Sequence, residues 1–103
     1  MKDDASHWDR MAIVAVKQSR GVASDKERSA LRGFLGTLSS RIVFDELVAV
    51  HEAIWWCMDF QRQYSRPFAD RGMVGVIVAM LNDVRDNLKY QIDGSLRKVY
   101  RHV

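Results

Sequence analysis

The sequence predicts an all-α protein: a compact four-helix bundle in one domain, with a long third helix that is apolar on two faces. Three observations carry that expectation. Apolar residues recur at three- and four-residue spacing in four successive segments. Short connections join the segments, and the chain holds a single proline. At 103 residues, 48% apolar and 28% charged, it suits one domain with one modest core.

The first helix is expected from about His7 to Arg20. Ser6 is placed to cap it, with Asp9 three residues on, and Gly21 to end it. Trp8, Met11, Ala12, Ala15, Val16 and Ser19 share a face at helical spacing.

The second helix has the clearest start. Ser24-Asp25-Lys26-Glu27 fits a capping box, in which serine and glutamate satisfy two free backbone amides reciprocally. Leu31, Phe34, Leu35 and Leu38 then line one side. Gly33 and Gly36 lie off that stripe. They mark either close approach of a neighbouring backbone or simple tolerance.

Ser39-Ser40 is read as a break, because serine favours caps and turns. The alternative is a continuous helix of roughly 40 residues that dimerises along Leu31, Leu35, Leu38, Ile42, Ala49, Ala53, Trp56 and Phe60.

The third helix is expected over Arg41 to Ser65, ending before Pro67. Val43, Leu47, Val50, Ile54, Cys57 and Met58 form its core stripe. Ile42, Ala49, Trp56 and Phe60 form a second stripe, roughly 100–180° away at ~100° per residue. A surface helix needs one apolar face. A second implies a central position or a partner. Trp55 lies nearer the core edge and reads as structural.

Asp70 is placed to cap the fourth helix, whose core stripe is expected to be Met73, Val74, Ile77, Leu81, Val84, Leu88, Ile92 and Val99. Val76 and Met80 sit on its flank and could share a patch with Trp56. Valines at 74, 76 and 78 would also suit a strand, but the stripe continues at helical spacing through Ile92. Gly94 marks a kink or an end, while the Asp93–Arg97 spacing supports continuation.

Catalytic and metal motifs are missing from the sequence. His51-Glu52 begins like a metalloprotease helix, but position 55 is Trp where the second histidine is needed. No Glu-x-x-His pair occurs for a di-iron bundle. His51, Cys57 and Met58 are ligand types without a fourth partner at fitting spacing, so His51 reads as a core histidine with a hydrogen-bond partner. No nucleophile elbow, Walker loop or Gly-x-Gly-x-x-Gly is present. No enzyme activity, cofactor or metal is expected. The one cysteine allows no internal disulfide.

The formal charge is +3, from eleven arginines and five lysines against thirteen acids. Arginine suits interfaces and phosphate contacts alike. The first ten residues hold Asp3, Asp4, His7 and Asp9, unlike a signal peptide. The longest apolar run, Gly72–Leu81, is well short of the ~20 residues that span a membrane. A cytoplasmic place, in a bacterium or a phage-infected cell, is expected.

The sequence therefore points to a small non-catalytic module that binds a protein partner, as stoichiometric regulator or inhibitor of a larger complex. A phage or mobile-element protein acting against host defence fits that description. The expected anchor is Trp56 with Phe60, and Arg62 and Arg66 are expected to pair with acidic groups at its rim. Homodimerisation is compatible with the same features. The alternative is a nucleic-acid-binding regulator using Arg62, Arg66, Arg71, Arg97, Lys98 and Arg101.

Overall fold

Four helices follow one another, α1 (Ala5–Ser19), α2 (Asp25–Gly36), α3 (Ile42–Gln63) and α4 (Phe68–Leu96), and no strand occurs among the described residues. The structure is a computed structural model that describes residues 5–63 and 68–96, with the side chains of 63, 68–71 and 95–96 excluded.

Each connection has a local chemical cause. At the end of α1 the Val22 amide donates to the Lys17 carbonyl and the Gly21 amide to that of Gln18. This is a Schellman turn, and Gly21 supplies its left-handed residue at φ 74°. The capping box of α2 is present: the Glu27 amide donates to Ser24 Oγ at 3.1 Å, and the Ser24 amide to Glu27 Oε1 at 2.9 Å. The break at Ser39-Ser40 is real, since α2 ends at Gly36 and α3 begins at Ile42. No side-chain or backbone atom outside the helix comes within 4 Å of where a Cβ would stand at Gly33 or Gly36, so they mark tolerance rather than close approach.

α3 is the central element and packs against both α1 and α4. α2 lies along α1, with Phe34 reaching Phe44 of α3 at 5.3 Å between ring centroids. Trp8 meets both rings edge-on, at 5.6 and 6.3 Å. These aromatics join Ala12, Leu31, Leu47, Val50, Leu88 and Ile92 in one buried cluster.

The result is two layers. The α3–α4 hairpin forms one, and α1 with α2 covers one of its faces. The molecule measures 50 × 39 × 20 Å, with a Cα radius of gyration of 15.8 Å. Among the described helices none packs on the other face of the hairpin, where Trp56, Met73 and Met80 are exposed.

Several expectations need correction. α1 starts at Ala5, so Ser6 lies inside it and does not cap it. α4 starts at Phe68, so Asp70 lies inside that helix too. α4 runs through Gly94 to Leu96. Met73, Ile77 and Val84 leave the core, while Leu88 and Ile92 are buried and Val74 and Leu81 half-buried. Met58 is exposed. Phe44 was assigned to neither stripe of α3, yet it is among its most buried side chains. Pro67 and Val99 lie outside the described residues.

Candidate open face of the helical hairpin

Helical spacing sorts α3 into two working sides. Phe44, Leu47 and His51 are buried in the interior that α1 and α2 close. Ile42, Glu46, Ala49, Ala53, Trp56 and Phe60 recur at intervals of four, three, four, three and four on the other. α4 does the same. Met73, Ile77, Met80 and Val84 recur at four, three and four, flanked by Val76, and Asn87 and Gln91 continue the pattern with polar groups. Both stripes face the uncovered side of the hairpin.

The exposures are large for apolar groups: Ile42 70%, Met73 66%, Trp56 64% and Met80 63%, with Val76 close behind. Between the stripes lies a shallow, open groove of about 580 Å³, lined by Ala49, Glu52, Ala53, Trp56, Cys57, Ile77 and Leu81. Trp56 stacks on half-buried Phe60, ring centroids 5.8 Å apart and planes 20° apart. The indole is thus held in place while its other face stays in water.

The covered side of the hairpin holds the buried charges. Asp9 of α1 and His51 of α3 are buried, with His51 Nε2 2.7 Å from Asp9 Oδ1. Arg85 of α4 donates from Nε to Asp9 Oδ1 at 3.0 Å and from Nη2 to Asp9 Oδ2 at 2.9 Å. Burial pushes the Asp9 carboxyl up, but the hydrogen bonds and charges of Arg85 and His51 outweigh it and hold the carboxyl below its ordinary value. The same contact raises Arg85. This cluster ties three helices together. It lines neither of the described grooves.

On the flank of α3, Arg20 lies over the Trp55 ring at 5.2 Å and reaches Asp59 Oδ2 at 2.5 Å. Arg62 also meets Asp59, at 3.7 Å. Together with Met58 these residues surround a depression of about 280 Å³.

The predicted site residues separate accordingly. Trp56 and Phe60 belong to the open face. Arg62 sits beside Asp59 and Arg20, about 120° round α3 from Trp56 at ~100° per residue, and is not its rim. Arg66, Arg97, Lys98, Arg101 and the side chain of Arg71 lie outside the described residues. The sequence reading missed Met73, Ile77 and Val84 as surface groups, by assigning them to the core. No group of three His, Cys, Asp or Glu side chains that could hold a metal occurs among the described residues, and no helix there is long and apolar enough to cross a membrane.

The chain matches no protein family, no curated protein and no solved structure.

Proposed function

We propose that this chain is a non-catalytic protein-binding module that acts by occupying a surface of a larger partner, as a stoichiometric regulator or inhibitor. One observation carries the reading: the uncovered apolar face of the α3–α4 hairpin. Monomeric proteins seldom leave contiguous apolar patches beyond a few hundred Å² unless a partner covers them. Trp56, Met73, Val76, Ile77, Met80 and Val84 are all exposed there.

Its composition supports the same reading. A tryptophan with one face held by Phe60 is pre-ordered, so little rotamer freedom is lost on binding. Methionines adapt to an opposing surface. Among the described residues, His51 and Arg85 close on Asp9, and Arg20 and Arg62 on Asp59. Inhibition by occlusion asks nothing more of the chain than this face. A phage protein blocking a host defence complex is one setting in which such a module would work.

The test is capture from nuclease-treated bacterial lysate with the tagged protein, read by mass spectrometry. Trp56→Asp and Met80→Glu serve as controls, since both positions are exposed and both variants are expected to fold. One complex held by the wild type and lost by both variants is the expected result. Retention of nucleic acid alone, before nuclease treatment, would sink the proposal.

A further inference from the structure

We propose that the occupant of this face is an amphipathic helix with lysine or arginine along its flanks, supplied by a partner protein. The inference rests on the protein-binding reading above and adds the partner's shape and charge.

Shape comes from the two stripes. Ile42, Glu46, Ala49, Ala53, Trp56 and Phe60 on α3 keep the alternating four-three spacing, a mean of 3.5 residues. Met73, Ile77, Met80 and Val84 on α4 keep it as well. That spacing is what a helix shows to another helix in knobs-into-holes packing. Ala49 and Ala53 line the floor of the groove, where small side chains let a third backbone come close. Trp56, stacked on Phe60, walls the groove on the α3 side. The apolar span from Met73 to Val84 is about 17 Å long at 1.5 Å per residue, three turns of a helix. A helix lying there would supply the third layer that the 20 Å thickness lacks.

Charge comes from the edges. Glu52 lines the groove. Glu46 shares the stripe of Ala49 and Ala53. Both glutamates are exposed, and among the described residues neither has an ion-pair partner. The described cations of the hairpin are elsewhere. Arg85 is held by Asp9, Arg62 and Arg41 by acids of α3, and Lys89 falls on the α1 side of α4 by its spacing. A chain of net charge +3 thus presents an acid-edged groove. A second copy of the chain would set these carboxylates against their own counterparts, and like charges across an interface disfavour it. A basic-flanked helix meets them with opposite charge, in the helix-in-groove mode of recognition.

The experiment uses two labelled synthetic peptides of about 18 residues. Each has leucine at i, i+3, i+4 and i+7; one carries lysine at the remaining positions and the other glutamate. Fluorescence anisotropy with the full chain reads binding, and sedimentation reads the chain's own mass. The expected result is at least about tenfold tighter binding of the lysine peptide at low salt, a preference that shrinks as salt rises. Met80→Glu abolishes binding. Glu46→Lys with Glu52→Lys reverses the preference while the fold, read by circular dichroism, is kept. Equal affinity for both peptides, lost in Met80→Glu, overturns the charge assignment and leaves the protein-binding face standing. A dimer that Met80→Glu dissociates also overturns it, because the face is then filled by a second copy. Failure of both peptides to bind a monomeric chain overturns the helix as occupant; lysate capture then decides the broader reading separately.

Discussion

A buried carboxylate is unfavourable unless hydrogen-bonding or charged partners meet it, and Asp9 has two. Arg85 grips both its oxygens and His51 one of them. Removing one partner of such a cluster leaves the other charges desolvated and unpaired, which costs about 3–5 kcal/mol. Asp9→Ala and Arg85→Met are therefore expected to lower the urea midpoint sharply at pH 7. The pH dependence has a definite sign. Asp9 is held below the ordinary carboxylate value, so its contribution is complete above about pH 4, the unfolded value, and is lost as pH falls through the depressed folded value. Urea titrations of wild type and Asp9→Asn between pH 7 and pH 3 isolate that contribution. The wild type should lose its advantage at the acid end; parallel curves would show that Asp9 does not titrate as the contacts imply. Only half of this cluster is legible without the fold. His51 was legible as a core histidine with a partner, because it falls between apolar positions of α3. Asp9 read as a helix-start residue, since its partners lie 42 and 76 positions away and no local pattern points to them.

At the scale of elements, local chemistry was the most legible. The capping box at Ser24 and the Gly21 stop are both built from residues within one turn, and both were readable. Ser24→Ala should cost about 0.5–2 kcal/mol, because the Glu27 amide at the start of α2 loses its partner. The glycines divide by conformation. Gly33 is helical with open space at its Cβ position, so Gly33→Ala should stabilise by about 0.5–1 kcal/mol. Gly21 holds a positive φ, so Gly21→Ala should destabilise by about 1–2 kcal/mol. Thermal melts of the two variants should move in opposite directions. What the sequence could not resolve was which apolar side of α4 is covered. The helix is apolar over more than half its circumference from Met73 to Val84. A stripe through Met73, Ile77 and Val84 and one through Val74, Leu81 and Leu88 both satisfy helical periodicity. Only the packing against α3 chooses the second. α3 carries the same ambiguity: apolar positions occur on two of its sides, with Phe44 buried and Met58 exposed.

At the scale of the whole molecule, those two-faced helices and the thin shape are one fact. Burying apolar surface drives folding, and a four-helix chain that wrapped its helices round one core would hide all the stripes. Here α2 lies along α1, and the aromatic contacts of Phe34 with Trp8 and Phe44 hold it there. No helix among those described is left to cover the far side of the hairpin. The side chains there contribute little to the stability of the isolated chain, because they stay wet on folding. That separates folding from binding by substitution. Met73→Gln with Met80→Gln should leave the urea midpoint within about 0.5 kcal/mol of wild type, as surface changes do. The same pair should strongly reduce binding of a hydrophobic dye such as ANS to the native protein, which wild type is expected to show at neutral pH. A large loss of stability in the double variant would mean that the methionines are packed, and the face closed. Unchanged dye binding with unchanged stability would place the apolar surface elsewhere. Loss of dye binding alone is the outcome that a two-layer fold built to receive a third layer requires.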